Sequence, residues 1–168
     1  SGGVRPTMLA LSEGTFMRRT LAGIAALAAT LITTVVVASP ATAAAPSLRF
    51  HGAQYDSPGK DTRSNASLNQ EWISLVNSGT TAVNLNGYTI RDKANHVYTF
   101  GNVTIAANGG RVWLRTGKGT TSARTAYWGS GNYIWNNTGD TAYLRKPTGT
   151  TVDTCTWGAK KNRTWVAC

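Results

Sequence analysis

Residues 71–92 read EWISLVNSGTTAVNLNGYTIRD, and this segment decides the fold of the chain. Its first part places Ile73 and Leu75 at alternate positions, which is the period of a β-strand with one side toward a core. The pair Asn86 and Gly87 is a turn signal, because glycine readily adopts positive φ. We therefore predict a strand, a polar loop and a second strand, and so an all-β domain.

The chain after position 43 repeats this pattern of short strands between Gly, Asn, Ser and Thr turns. Further strands are predicted at 48–55, 96–100, 103–105, 111–115, 140–145 and 151–157, with loops at 56–70 and 116–124. Val112 and Leu114 are predicted to face the core in one strand, and Ala142 and Leu144 in another. About eight or nine such strands, with no helical period among them, predict a β-sandwich.

The N-terminal part has a different composition. Residues 17–43 combine a basic start at Met17, a long apolar run and a small-residue pattern that ends at Ala43. This order predicts a secretory signal peptide cleaved after Ala43, with an uncleaved membrane anchor as the alternative. Residues 1–16 lie upstream of that start and are interpreted as an expression remnant or an over-extended gene model. The mature domain is expected at 44–168, secreted or associated with the cell envelope.

The chain is basic, with 17 Lys and Arg against 7 Asp and Glu and a formal net charge of +10. Residues 44–168 keep 14 of the bases and 6 of the acids, a net charge of +8. A secreted domain with this charge is attracted to polyanions, although the same charge also serves solubility alone. The expected partners are DNA or an anionic cell-wall polymer, with a protein partner as a further candidate. A membrane is expected only through an uncleaved signal.

Cys155 and Cys168 are the two cysteines of the chain. In an exported protein an even count predicts a disulfide, here worth roughly 3 kcal/mol of stability. With two thiols and no histidine near them, we predict no metal site and no cofactor.

The order of these strands and turns resembles the lamin tail domain, an immunoglobulin-like β-sandwich. The matching stretches are EWISLVNSGTTAVNLNGYTIRD (71–92), VYTF (97–100), TIAANGGRVWLRTGKG (104–119), WNNTGDTAYLR (135–145) and GTTVD (149–153). Nuclear members follow a coiled-coil rod, whereas this chain has no heptads and carries the predicted export signal, so it is similar to the bacterial secreted branch. The resemblance implies a non-catalytic interaction module whose nuclear members associate with DNA, chromatin and proteins.

Basic residues interleaved with aromatic ones are the binding candidates, because cations pair with phosphate and exposed rings stack on bases or sugars. One outward strand face carries Arg111, Trp113 and Arg115, and another carries Tyr143 and Arg145. The disulfide loop adds Trp157, Lys160, Lys161, Arg163 and Trp165. The alternative is that these rings cover sandwich edges and the cations are ordinary solvated groups. Core or turn packing is instead predicted for Trp72, Trp128 and Trp135.

Side chains suited to catalysis are few. Glu71 is interpreted as an exposed or turn-bonded residue at a strand start, in preference to a general base. His51 and His96 are interpreted as satisfied strand histidines, and Ser74 lies in no nucleophile motif. The sequence GKGT from Gly117 fails the phosphate-loop pattern and is predicted to be a flexible basic turn.

Oxygen-bearing side chains before the central strand suggest a calcium site as an alternative to the prediction of no metal. These are Asp56, Asp61, Asn65, Asn69 and Glu71. Calcium prefers such ligands, but their spacing does not match a calcium loop, and Asx turns are the preferred interpretation.

The sequence thus predicts a secreted, non-enzymatic binding or adaptor module on a polyanionic or protein partner. Two alternatives remain at this point: an envelope-associated structural protein and, more distantly, a small secreted hydrolase or nuclease. Salt-dependent retention on DNA separates the binding module from the structural protein.

Overall fold

The computed structural model describes residues 45–168, which fold into two main β-sheets. The elements are β1 (Leu48–Gln54), α1 (Asn65–Leu68), β2 (Trp72–Asn77), β3 (Val83–Asn84), β4 (Thr89–Arg91), β5 (Val97–Thr99), β6 (Thr104–Ile105), β7 (Gly110–Arg115), β8 (Thr125–Tyr127), β9 (Gly139–Arg145), β10 (Thr151–Gly158) and β11 (Trp165–Ala167). The prediction of an all-β sandwich is confirmed. The segments 1–16 and 17–43, with the predicted signal, lie outside the described residues.

The two sheets differ in width and in strand direction. The five-stranded sheet has the order β11-β1-β2-β7-β8, and its neighbours are antiparallel except β7 and β8. The four-stranded sheet has the order β10-β9-β4-β5 and is antiparallel throughout. β3 and β6 form a separate two-stranded ribbon. Buried side chains from both main sheets make one core between them.

β2 lies in the middle of the five-stranded sheet. Ile73 and Leu75 face the core, as predicted, and each is 1% exposed. Ser74 and Val76 point to the other side of the sheet and are buried as well. Since strands lie only about 4.8 Å apart, long side chains on β1 and β7 cover the middle of that outer surface.

Three short elements were not predicted: α1 lies within the predicted loop 56–70, β8 follows the predicted loop 116–124, and β11 lies in the disulfide loop. β8 and β11 each turn one apolar side chain inward, Ala126 and Val166, and one residue is too few to show a period of two. α1 is a single turn, capped by the Ser64 hydroxyl, which accepts from the Ser67 amide at 3.2 Å. Leu68 anchors it in the interior. No helix within residues 45–168 reaches the length and apolarity that crossing a membrane requires.

Two bonds, a disulfide and a hydrogen bond, join the two sheets along one edge of the sandwich. Cys155 in β10 forms a disulfide with Cys168, which follows β11, and their Cα atoms lie 5.6 Å apart. This confirms the predicted pairing. At the β-bulge between Phe50 and Gly52, the Phe50 amide donates to the carboxylate of Asp153 in β10 at 2.8 Å. A covalent bond and a charged hydrogen bond therefore hold β10 against the five-stranded sheet.

Aromatic rings form a continuous series along one side of the core. The series runs from Tyr55 through Trp157, Trp135 and Trp128 to Tyr98, with successive centroids 5.3 to 5.9 Å apart. Core or turn packing is thus confirmed for Trp128 and Trp135. Trp157 is only 7% exposed, so its prediction as part of an exposed basic-aromatic loop is wrong. β10 continues through this position and turns the indole inward.

Candidate polyanion-binding face

The outer face of the five-stranded sheet brings basic and aromatic side chains together. The strand register places Arg49, Val76 and Arg111 in one row across β1, β2 and β7. A second row crosses all five strands as Trp165, Gln54, Trp72, Arg115 and Tyr127. Trp113 lies between the two rows. None of these outward positions carries an acid, and we call this surface the basic-aromatic face.

The rings of this face are exposed to different extents. Trp165, on the edge strand β11, is 53% exposed, whereas Trp72, Trp113 and Tyr127 are half-buried. The Tyr127 ring lies against Gly119, where a Cβ atom would come within 2.3 Å of the ring. The prediction of core or turn packing for Trp72 is wrong, because β2 turns this side chain outward.

The arginines of the face are held in different ways. Arg49 donates from Nη1 to the Ser78 hydroxyl at 3.0 Å. Arg115 donates from Nη1 to the Asn69 carbonyl. Arg111 is exposed, and its side chain makes no hydrogen bond or ion pair in the part of the chain that the structure describes. Arg111 therefore keeps all its N–H donors for a ligand.

His51 reports the positive potential of this face. It lies half-buried at the β1 bulge. Burial lowers the pKa of its imidazole below the usual 6.5, and the charges of Arg111 and Arg49 lower this pKa further. The pKa of His51 is therefore sensitive to any anion that neutralises the two arginines.

Tyr143 and Arg145, predicted as a second outward strand face, lie on the outer face of the four-stranded sheet. Arg91 on β4 is the cross-strand neighbour of Tyr143. The guanidinium carbons of Arg91 and Arg145 lie 5.3 and 5.9 Å from the centre of the Tyr143 ring. The two predicted strand faces therefore belong to different sheets and do not form one surface.

Lys160, Lys161 and Arg163 lie exposed in the turn between β10 and β11. The Tyr55 hydroxyl donates to the Arg163 carbonyl at 2.8 Å, and the Tyr55 amide donates to the next carbonyl along the chain at 3.1 Å. These bonds hold the turn at the end of β1, two residues or fewer before Trp165. Arg163 therefore lies two residues before Trp165, at one corner of the basic-aromatic face, and Lys160 and Lys161 lie earlier in the same turn.

A pocket of about 280 Å³ opens at the other end of this face, where β7 begins. Arg111, Trp113 and Arg124 are among the residues that line it. At Gly110 a Cβ atom would lie 2.2 Å from the Ala106 carbonyl oxygen, so this wall accommodates only glycine. Arg124 was not among the predicted site residues, because it ends a Gly/Thr/Ser loop and has no strand period around it.

Three of the six acidic side chains of residues 45–168, by contrast, are turned inward. Glu71, Asp92 and Asp140 are at most 3% exposed. Asp140 accepts from three backbone amides at 2.7 to 3.1 Å, and Asp92 accepts from the amide of His96 at 2.7 Å. Among the described residues, no Lys or Arg forms an ion pair with an acid. The surface is therefore more basic than the net charge of the sequence indicates.

Glu71 is buried where β2 begins and β7 ends. Its Oε1 accepts from the Thr116 hydroxyl at 2.6 Å and from the Ile134 amide at 2.8 Å. Burial raises the pKa of Glu71 to about 7, although both hydrogen bonds act in the opposite direction. The prediction of an exposed residue is wrong and the turn-bonded alternative is closer, because partners far away in sequence enclose this carboxyl.

Other side chains considered for catalysis or metal binding are engaged in structure. Ser74 is fully buried and donates to the Gly52 carbonyl at 3.2 Å. The side-chain amides of Asn65 and Asn69 both donate to the Lys118 carbonyl, which anchors the basic turn that contains it. In the described part of the chain, no three His, Cys, Asp or Glu side chains cluster in a way that would hold a metal ion.

Comparison with protein families agrees with this architecture. The profile of the Lamin Tail Domain family matches residues 41–159, which include every strand from β1 to β10. Comparison with curated proteins gives no match. Domains of the matched family are non-catalytic, immunoglobulin-like modules. The chain therefore belongs to the lamin tail domain family.

Proposed function

We propose that this chain is an exported, non-catalytic binding module that holds a polyanion on its basic-aromatic face. DNA and an anionic cell-wall polymer are the two ligand classes considered. The family supports the coarser part of the proposal, an immunoglobulin-like binding or structural module. One observation carries the finer part: cations and rings share a sheet face that has no acid.

The charge distribution supports an anionic ligand. The 14 Lys and Arg side chains of residues 44–168 are all at least partly exposed, whereas Glu71, Asp92 and Asp140 are buried. Each phosphate that such a surface neutralises releases condensed counterions, which favours binding. Polyanion binding therefore needs no rearrangement of ion pairs within the described residues.

The spacing of the rings supports a ligand that is long enough to cross the sheet. Trp165, Trp72 and Tyr127 occupy alternate strands of one row. At about 4.8 Å between strands, successive rings lie about 10 Å apart and the row spans about 19 Å. Arg115 lies between two of the rings, so a polymer crossing the face meets stacking and charged groups in turn. Tyr143 and Arg145 are left out of this face because they lie on the other sheet.

Export is part of the proposal. Residues 17–43 have the composition of a signal peptide. The disulfide between Cys155 and Cys168 is a bond that persists in oxidising compartments such as the cell exterior.

The experiment measures retention of the oxidised protein on single-stranded DNA, duplex DNA and purified anionic wall polymer at increasing NaCl. We expect the logarithm of the affinity for DNA to fall linearly with the logarithm of salt, by about 0.9 per neutralised phosphate on a duplex. A flat response on all three polymers would contradict the proposal. Binding to the wall polymer alone would favour an envelope-associated structural protein. Cleavage of plasmid DNA in the presence of a divalent metal would contradict the non-catalytic assignment.

A further inference from the structure

The pocket at the start of β7 differs from the rest of the basic-aromatic face because it is concave. Its volume of about 280 Å³ lies just below the range of about 300–1,000 Å³ that is usual for small-molecule sites. A site of this size matches one unit of a polymer better than several. Gly109 and Gly110 leave backbone alone on one wall.

Two cations in this pocket have no partner in the described residues. Arg111 and Arg124 are both exposed, and neither side chain makes a hydrogen bond or an ion pair within the range 45–168. No Asp or Glu contributes to the lining. Each guanidinium presents several N–H donors in one plane, the arrangement that binds phosphate oxygens in pairs.

The third side chain of the pocket is a ring. Trp113 is half-buried, and its indole is not paired with another aromatic ring within the described residues. The indole is therefore open to a ring partner supplied by a ligand. Stacking on a base strengthens affinity by roughly 5- to 150-fold.

The backbone fixes the ring relative to one of the cations. The Trp113 amide donates to the Arg124 carbonyl at 2.9 Å, and Trp113 pairs with Thr125 in the parallel contact between β7 and β8. Arg111 precedes Trp113 by two residues on the same strand and so projects from the same face. β7 thus sets the positions of Arg111 and Trp113, and the hydrogen bond at the Arg124 carbonyl holds the backbone of Arg124 beside Trp113, just before β8 begins.

We propose that this pocket binds one nucleotide unit, with its phosphate between Arg111 and Arg124 and its base stacked on Trp113. The inference rests on the proposed function, since it selects nucleic acid as the polyanion. A phosphate of a wall polymer carries the same charge but brings no aromatic ring, and would leave the indole without a stacking partner.

The test titrates the oxidised full-length protein with thymidine monophosphate, thymidine and glycerol phosphate, followed by the NMR signals of the backbone and indole N–H groups. We expect the monophosphate to bind at least fivefold more tightly than either of the other two. Shifts should centre on the indole N–H of Trp113. Equal affinity for glycerol phosphate and the nucleotide would overturn the proposal.

Two variants separate the two contacts. Arg124→Gln should weaken the monophosphate about tenfold and leave thymidine unchanged, because a charged hydrogen bond is lost. Trp113→Leu should remove the preference for the nucleotide over glycerol phosphate. Lys146→Gln makes the same charge change on the hairpin between β9 and β10, away from the pocket, and should behave as wild type. Unchanged nucleotide affinity in both pocket variants would overturn the inference.

The outcomes also separate this inference from the proposed function. Salt-dependent retention of polymers without nucleotide binding would refute the pocket alone. Nucleotide binding without retention of any polymer would refute the proposed function and leave the pocket assignment standing.

Discussion

The outer faces of the two sheets carry similar residue types and differ in how these residues are used. On the four-stranded sheet, Arg91 and Arg145 both lie against the ring of Tyr143. On the five-stranded sheet, Arg111 stands free beside the ring of Trp113 and next to a pocket. In the first arrangement both cations lie over a ring, and Arg91 also donates from Nη1 to the side-chain oxygen of Asn95 at 3.1 Å. In the second, neither the cation nor the ring has such a partner within the described residues.

Residues on neighbouring strands decide whether an outward Arg and an outward ring form a site. Both strands show the same alternation in sequence, R-x-W-x-R in β7 and Y-x-R in β9. Arg91, whose guanidinium lies over the Tyr143 ring, comes from a strand about 50 residues earlier. Only the sheet order reveals that contact.

The largest expected effect concerns the edge that joins the two sheets. Replacing Cys155 and Cys168 together by Ser should lower the free energy of unfolding by about 2–5 kcal/mol, because the unfolded chain regains the freedom of the closed loop. Denaturant unfolding followed by circular dichroism measures this loss. The two faces should still unfold together, and polyanion affinity of the folded protein should stay within about twofold of wild type.

Thr154→Ser is the matched control, since it changes an exposed side chain on the same strand. It should leave the free energy of unfolding within about 0.5 kcal/mol of wild type. An equally stable double Cys variant would show that the disulfide does not hold the sheets together.

The next largest effect is a pH dependence of the free energy of unfolding, caused by Glu71 at the start of β2 in the five-stranded sheet. The pKa of Glu71 is about 7 in the folded protein and 4.5 in an unperturbed side chain. The folded state thus binds this proton more tightly than the unfolded state does. The resulting stabilisation of the folded protein is complete below pH 4.5 and is lost as the pH rises through 7. Relative to Glu71→Gln, the wild-type free energy of unfolding should fall by roughly 3 kcal/mol across that interval.

Urea unfolding at closely spaced pH values measures this difference. The Gln carbonyl can accept the bonds from Thr116 and Ile134 that Oε1 accepts now. The variant therefore keeps the site while losing its titration. Parallel stability curves for the two proteins would contradict the assigned burial of a titrating carboxyl.

The smallest expected effect is a shift in the pKa of His51. Arg111 and Arg49 contribute to the lowered pKa of His51. A polyanion on the five-stranded sheet should raise this pKa, because it neutralises both cations, and an NMR titration with and without ligand measures the change. An unchanged pKa of His51 at saturating ligand would contradict binding over Arg111 and Arg49.

Much of the fold could be predicted because its main strands have a clear period of two. Val112 and Leu114 face the core, as do Ala142 and Leu144. The edge strand β8 could not be predicted, since it contributes one buried side chain and its place depends on a parallel contact with β7.

The candidate site was predictable only in part. The outward direction of Arg111, Trp113 and Arg115 follows from strand alternation. Their position beside Trp72 does not follow from strand alternation, because it depends on which strands are neighbours in the sheet. The burial of Glu71 depends likewise on Thr116, which lies 45 residues away in sequence. The local sequence pattern thus predicts which way a side chain points, whereas the order of strands in the sheet determines which residues it contacts.

The most direct measurement compares the salt dependence of single-stranded DNA binding for two double variants with equal charge change. Arg111→Gln with Arg124→Gln removes the two free cations of the pocket at the start of β7, and Arg91→Gln with Arg145→Gln removes those against Tyr143. The account predicts that the first pair lowers the slope of log affinity against log salt by about 1.4, or about 0.7 per lost phosphate contact. It predicts a wild-type slope for the second pair. Equal losses in both variants, or a loss confined to the second, would contradict binding on the basic-aromatic face.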